Sequence, residues 1–242
     1  FNILKRFPEA RRVEIMNSKL SEGAVRAIGG LKQLDALSVE ETPFRPAWLP
    51  LLDALPCWTY ARIYGDGNAA FERAWEAFQE RRDAHIAALP VAERREAARR
   101  FLCGFYRSSS PRPGVPITDV RFSQMGLRDA ELRLTSYLPE IEAVSVFEGY
   151  ETEAGVRHLA ALPKLKVLDL SRSPVTSLAS VAGFPALEEL TLMPDDGDIS
   201  DANTAALETL PNLRKLSLYR YAGFGDETVR RLAMLKHLRD LE

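Results

Sequence analysis

A frame of apolar residues recurs about every 24 positions from one end of this chain to the other. It is clearest at Leu165, Leu168 and Leu170, introduced by Leu162-Pro163. Phe184-Pro185 leads in the same way into Leu187, Leu190 and Leu192, Leu210-Pro211 into Leu213, Leu216 and Leu218, and Leu138-Pro139 into Ile141, Val144 and Val146. Tracked outward, the frame begins at Ala10, Leu34, Trp58, Ile117, Ile141, Leu165, Leu187, Leu213 and Leu238, at intervals of 24, 24, 59, 24, 24, 22, 26 and 25. The last two apolar positions of each frame alternate, as in a short strand with one buried side. A strand that short cannot stand alone, so each must stack on its neighbours in a parallel sheet over a shared core. Ordinary amphipathic helices are excluded because Pro recurs at one fixed phase and would break them.

The rest of each repeat must return on the outer face. Ser21-Glu22, Thr152-Glu153, Ser200-Asp201 and Gly225-Asp226 read as helix starts, with a polar cap and acidic first turn. Val25 with Ile28, Val156 with Leu159, and Val229 with Leu232 then place two apolar residues on one helix face. The shortest repeat, Leu165 to Ala186, has Val175, Leu178 and Val181 at a spacing of three, which suits a 3₁₀ return.

The L-x-x-L-x-L frame resembles the leucine-rich repeat, whose period of 20–29 residues it shares. That resemblance implies an α/β fold: a leucine-rich-repeat solenoid with a curved parallel sheet and a helical or 3₁₀ outer face. Three segments are expected: N-terminal repeats in 1–64, a helical insertion in 65–114, and C-terminal repeats in 115–242, as one continuous solenoid. The insertion reads as a helix capped by Asp66 or Asn68, with Phe71, Trp75, Phe78, Ile86 and Leu89 as its apolar stripe. Pro90 ends it, a second helix runs from Val91 to about Cys103, and Ser108 to Gly114 loops back. Arg81-Arg82, Arg94-Arg95 and Arg99-Arg100 alternate with glutamates and read as a solvated helical face.

Composition narrows the function classes. At 242 residues and 46% apolar content the chain can bury a large core. A net charge of −2, from 32 basic and 34 acidic residues, leaves no electrostatic footprint for nucleic acid or anionic membrane. The longest apolar stretches are too short to span a bilayer. Cys57 and Cys103 make neither a disulfide scaffold nor a metal pair, which suits a reducing, cytoplasmic setting. The first residue is Phe1 rather than Met, and the terminal Leu241-Glu242 has the form of a tag junction although Leu241 also fits the frame. A capping segment upstream of Phe7 is expected.

No catalytic constellation emerges. His85, His158 and His237 are scattered, no metal-binding pair or nucleophile elbow is present, and Gly65-Asp66-Gly67 is a turn rather than a phosphate cradle. The expectation is therefore a non-enzymatic chain with no cofactor and no metal.

In the repeat frame, positions three, five and seven face away from the core. They put Tyr60, Arg62, Tyr64, Arg121, Phe147, Asp169, Glu189, Lys215 and Tyr219 on the inner surface. Aromatic residues and Arg are enriched at protein interfaces. The resemblance and these residues together imply a scaffold binding a protein partner through that face, with the insertion as one wall. A bacterial effector, a regulator or a toxin-neutralising immunity protein fits this reading. The alternative is a ligand-sensing segment of a larger multidomain protein whose catalytic domain lies elsewhere.

Overall fold

The computed structural model describes residues 6–56, 58–64, 69–105, 116–123, 129–147, 149, 151–175, 177–193, 197–198, 203–219, 221–222 and 225–242. It divides into two compact units, Phe1–Gly114 and Val115–Glu242.

In the first unit, β1 (Arg12–Met16), β2 (Ala36–Glu40) and β3 (Tyr60–Ile63) form a parallel sheet in that order. Arg12 pairs with Ala36 and Ala36 with Tyr60, so the observed register equals the 24-residue interval of the sequence frame. Leu34, Leu37 and Val39 are fully enclosed. Helix α1 (Glu22–Gly29) returns behind the sheet, its first turn capped by Ser21, whose hydroxyl accepts from the Ala24 N–H. A 3₁₀ helix at Pro46–Leu52 forms the second return.

Two helices complete this unit. Helix α2 (Ala69–Ala88) and helix α3 (Val91–Phe105) match the expected insertion, with α3 running two residues past its expected end. Asp66, Asn68 and the 108–114 loop lie outside the described residues. Phe71, Trp75 and Phe78 of α2 enter the same core as Phe44, Trp48, Leu49, Ala61 and Ile63. Their rings are nearly parallel in sequence, Phe71 on Trp75 at 6.3 Å and Trp75 on Phe78 at 5.4 Å, while Phe44 meets Phe71 edge-on at 6.4 Å. The helices therefore belong to the same compact unit as the first three repeats. The expected solvated face needs correction: Arg82 and Asp83 are buried and paired at 3.0 Å. Between α2 and α3 there is no room for a hydrated guanidinium, so Arg82 takes Asp83 on one side and the Phe101 ring on the other, 4.9 Å from its centroid.

The second unit opens with β4 (Asp119–Ser123), α4 (Asp129–Thr135), β5 (Ala143–Phe147) and α5 (Glu153–His158). It continues with β6 (Val167–Ser171), β7 (Glu189–Met193), the two-residue β8 (Gly197–Asp198), β9 (Lys215–Leu218), the two-residue β10 (Tyr221–Ala222), α6 (Asp226–Met234) and β11 (Asp240–Leu241). Six of these strands pair in parallel in the order β11-β9-β7-β6-β5-β4, while β8 and β10 pair separately. The pairs Asp119–Ala143, Ala143–Val167, Val167–Glu189, Glu189–Lys215 and Lys215–Asp240 reproduce the intervals 24, 24, 22, 26 and 25. Val144, Leu168, Leu190 and Leu216 form one enclosed row, each 0% exposed.

The recurring proline has a structural cause. In Leu138-Pro139-Glu140-Ile141 and Leu162-Pro163-Lys164-Leu165 the fourth N–H donates to the first carbonyl, and Phe184 to Leu187 and Leu210 to Leu213 repeat this. Proline at the second position of such a turn is already held at the required φ. A further regularity follows each strand. Asn17, Glu41 and Arg172 occupy the eighth frame position with φ of 44°, 49° and 56°. The ninth position then carries a hydroxyl: Ser18, Thr42 or Ser173. Thr42 Oγ1 accepts from the Ser18 N–H one repeat away at 3.1 Å. The left-handed residue turns the chain away from the sheet, and the hydroxyl satisfies backbone that no strand reaches.

The returns follow the sequence with two exceptions, the buried face of α6 and a 3₁₀ helix at Asn203–Thr209 where Ser200-Asp201 suggested an ordinary helix. Thr152 caps α5 through the Ala154 N–H, and Leu178–Val181 is the expected 3₁₀ turn, with Val175, Leu178 and Val181 buried. Ser200 to Ala202 lie outside the described residues. In α6, Val229 is 58% exposed rather than inward, and Thr228 with Leu232 takes the buried face. One residue of rotation decides this, since i and i+4 face together as readily as i and i+3.

Replacing Leu190 by Ala should destabilise the second unit by about 2–5 kcal/mol, through lost burial and a residual cavity. Replacing Trp75 by Ala should cost the first unit about 3–5 kcal/mol. Chemical denaturation of the two variants, followed by unit-specific amide signals, checks both; a silent Trp75→Ala would mean α2 is only appended to the repeats.

Candidate inner-face binding surfaces

Alternation along each strand divides core from inner face. Leu168 and Leu170 of β6 are buried, while Val167, Asp169 and Ser171 are half-buried on the opposite side. In both units the nine expected surface residues lie on strands or directly after them, on that opposite side.

In the first unit, Tyr64 is 47% exposed. Arg62 donates to the Tyr64 hydroxyl, lies over its ring at 4.8 Å from the centroid, and pairs with Glu40 at 3.8 Å. Tyr60 is placed differently. Its ring meets Phe101 of α3 edge-on at 5.5 Å, and it is only half-exposed. Met16 of β1 adds a further outward apolar side chain, 58% exposed.

In the second unit, Arg121 reaches Asp119 two residues back on β4, at 2.9 Å. Phe147 lies beneath the Arg172 guanidinium, 5.4 Å from its centroid. Asp169 is occupied locally, accepting from the N–H and hydroxyl of Ser171. Glu189 is exposed. Lys215 and Tyr219 converge on Glu242, whose carboxylate accepts from Lys215 Nζ at 3.2 Å, Ser217 Oγ at 3.0 Å and Tyr219 Oη at 2.9 Å. Hydrogen bonds from Tyr219, Ser217 and Lys215 hold the Glu242 carboxyl below its usual range, and the same bonds raise Lys215 and Tyr219. All three are open to water, so salt weakens this cluster.

The seventh frame position carries Met16 and Tyr64 in the first unit and Phe147, Met193 and Tyr219 in the second, with Glu40, Ser123 and Ser171 in the repeats between. A separate row at the second position, on the sheet margin, alternates in charge and ties neighbours together: Arg11 with Asp35, Lys166 with Glu142, and Arg214 with Glu188.

A buried polar network in the second unit was not apparent in the sequence. Glu151 is fully buried just beyond β5. Its Oε1 accepts from Ser173 Oγ at 2.5 Å, and Ser173 Oγ in turn accepts from the Val175 N–H. Among the described residues its Oε2 has no hydrogen-bond partner. Gly149 holds the ninth frame position in that repeat, and a Cβ there would overlap Glu151 Oε2. The carboxyl thus fills the space left by the missing side chain and reaches the hydroxyl one repeat on. Beside it, Asp129 accepts from the N–H and hydroxyl of Thr152, each at 2.6 Å, where Gly155 leaves room for its carboxylate. Only the Gly149 and Gly155 pair could have signalled this network, since glycine after a strand and inside a helix both mark close approach.

Burial raises the Glu151 carboxyl above its ordinary 4.5; the Ser173 hydrogen bond offsets part of this and the nearby Asp129 charge adds to it. The folded chain therefore keeps this proton at pH values where the unfolded chain has lost it. The resulting stability is complete below about pH 4.5 and is lost as pH rises through the folded value. Glu151→Gln should remove that decline, so the wild-type second unit should fall behind the variant as pH rises above about 4.5. Parallel melting curves for the two proteins across that range would refute a protonated Glu151.

Among the described residues, no group of three or more His, Cys, Asp and Glu side chains is arranged to hold a metal ion, and no helix is long and apolar enough to cross a membrane. The three histidines are exposed. Cys57, Gly65-Asp66-Gly67 and the side chain of Cys103 lie outside the described residues.

No family model matches the chain, and no curated protein matches it. Solved structures are similar in architecture. A Listeria monocytogenes internalin is 13% identical, covering 90% of this chain and 50% of its own, with a TM-score of 0.43. Internalin C2 from the same species is 17% identical, covering 96% and 80%, with a TM-score of 0.42. A Leptospira interrogans leucine-rich-repeat protein is 14% identical, covering 98% and 49%, with a TM-score of 0.39. The chain thus spans half the length of the first internalin. Superpositions this loose carry no weight on function, and the assignment stands on the geometry itself. Parallel strands paired at intervals of 22–26 residues over rows of buried leucines give the described residues a leucine-rich-repeat fold.

Proposed function

We propose that the chain is a non-enzymatic protein-interaction module that takes a protein partner on the inner face of its sheets. The observation that carries this reading is the seventh-position row. Met16 and Tyr64 of the first unit are 58% and 47% exposed; in the second, Tyr219 is 43% exposed and Phe147 and Met193 are half-buried. These side chains add nothing to the leucine core, yet they recur at one position in both units. Large aromatic and thioether groups on a rigid surface supply contact area at low entropic cost, and a few such anchors dominate most interfaces. Arg62, Arg121, Asp169, Glu189 and Lys215 flank them with charges of both signs, which favours selectivity over general stickiness.

Within this reading, a cytoplasmic bacterial effector, regulator or immunity protein are the finer roles proposed, and the partner's identity separates them. Affinity capture with the full chain and mass spectrometry supplies a candidate. Phe147→Ala or Tyr64→Ala should then weaken its binding by more than about 1 kcal/mol, at least fivefold, with folding unchanged. Arg157→Ala, on the exposed side of α5, should change neither. Wild-type affinity in both aromatic variants would place the partner elsewhere on the molecule.

A further inference from the structure

We propose that the inner face of the second unit docks a basic segment of a protein partner, with a lysine or arginine stem lying between Phe147 and Met193 and its charged head on Asp169, beside Glu189. This rests on the reading of inner faces as partner surfaces, and it names the chemistry that this face selects.

The two inner faces settle their charges differently. In the first unit Arg12 pairs with Glu14 and Arg62 with Glu40, each at 3.8 Å. In the second unit the cations of the face are also held locally. Arg121 reaches Asp119 at 2.9 Å and Lys215 reaches Glu242 at 3.2 Å. Along the margin Lys166 pairs with Glu142 and Arg214 with Glu188. Asp169 and Glu189 are left over. Among the described residues Asp169 meets only Ser171, and both contacts end on Oδ1, at 3.1 Å from the N–H and 2.5 Å from the hydroxyl. Its Oδ2 accepts from no described residue. Glu189 is exposed and has no ion-pair partner among the described residues. Two carboxylates on adjacent strands, β6 and β7, thus carry charge that the described part of this face does not neutralise.

Register sets an apolar slot beside this charge. Phe147, Ser171 and Met193 are partners across β5, β6 and β7. Strands two apart in a sheet lie about 10 Å from each other, so a ring and a thioether chain stand on either side of one serine. Between them there is room for an aliphatic chain. Asp169 lies two residues back along β6, about 7 Å from Ser171, within the reach of an extended lysine or arginine side chain. Its own cross-strand partners are the short Ser145 and Thr191, so no large side chain of that row separates the slot from the carboxylate. Arg172 follows Ser171 and lies over the Phe147 ring, 5.4 Å from its centroid, at the end of the slot away from Asp169. Its charge there turns an incoming cation toward the carboxylate. Lysine and arginine suit such a site because they bury their stems on apolar surface and keep their heads polar. A segment that brings neutral or acidic side chains would cover two unpaired carboxylates, and charge mismatch of that kind suppresses wrong partners.

Titration of the full chain with two blocked peptides tests this, one alternating Lys with Leu and the other Glu with Leu, followed by amide NMR. At low salt the Lys peptide should bind at least about tenfold more tightly than the Glu peptide and move the signals of β5, β6 and β7. Asp169→Asn and Glu189→Gln should each weaken it by about threefold or more, and added salt should weaken it further. Glu189 is exposed and makes no contact that the fold needs, so its variant reads the charge even where Asp169→Asn disturbs the turn to Ser171. Equal affinity for the two peptides, no binding of the Lys peptide, or binding that neither variant weakens would overturn the proposal. A Glu peptide that binds these strands and is lost in Phe147→Ala would overturn it while leaving the inner face as the partner surface. Peptide signals confined to residues off both inner faces would count against both readings.

Discussion

Everything in this protein depends on parallel pairing between strands one repeat apart. The longer strands have four or five residues, and each turns two of them toward the leucine core. Alone, such a strand would expose its backbone groups and half its apolar surface. Stacked in register, each closes a ladder with its neighbours and adds to a continuous leucine row. Stability is then a sum over neighbouring repeats, and the interval between repeats can vary as long as the register holds. The 22-residue and 26-residue intervals show this: their 3₁₀ returns differ in length, Leu178–Val181 against Asn203–Thr209, and the strand row stays aligned.

A stack of this kind has ends, and an end exposes apolar surface. In the first unit the chain meets that problem with the helices after β3. Phe71, Trp75 and Phe78 bring bulk where the strand row supplies only Ala61 and Ile63. Helix α3 buries Ala97, Ala98, Phe101 and Leu102, sets the Phe101 ring against Tyr60 and pairs Arg100 with Asp35.

Polar groups in the turns after the strands show how the repeat tolerates irregularity. Ser18, Thr42 and Ser173 hold one position with a hydroxyl, and Gly149 holds it with nothing. Glu151 fills that gap from two residues further on, and burial raises its carboxyl above the ordinary carboxylate range. No local pattern announces such a substitution. Its meaning depends on the neighbour, Ser173, which lies 22 residues away in sequence.

The period of the apolar residues by itself determined the strands, their parallel order and their register, since alternation places two side chains in each core layer and the interval sets which residues meet. The prolines marked the turns, and the polar residues at Ser21 and Thr152 marked the helix starts, because these depend on backbone geometry within a few residues. It also determined that Tyr64, Phe147 and Tyr219 face away from the core. Tertiary structure decided the rest. Tyr60 shares their frame but lies against Phe101, Arg82 leaves its charged run for a buried pair, and Val229 rotates outward in favour of Thr228. Each of these outcomes depends on which element packs against the residue from another part of the chain, and a side chain's own neighbours in sequence carry no record of that.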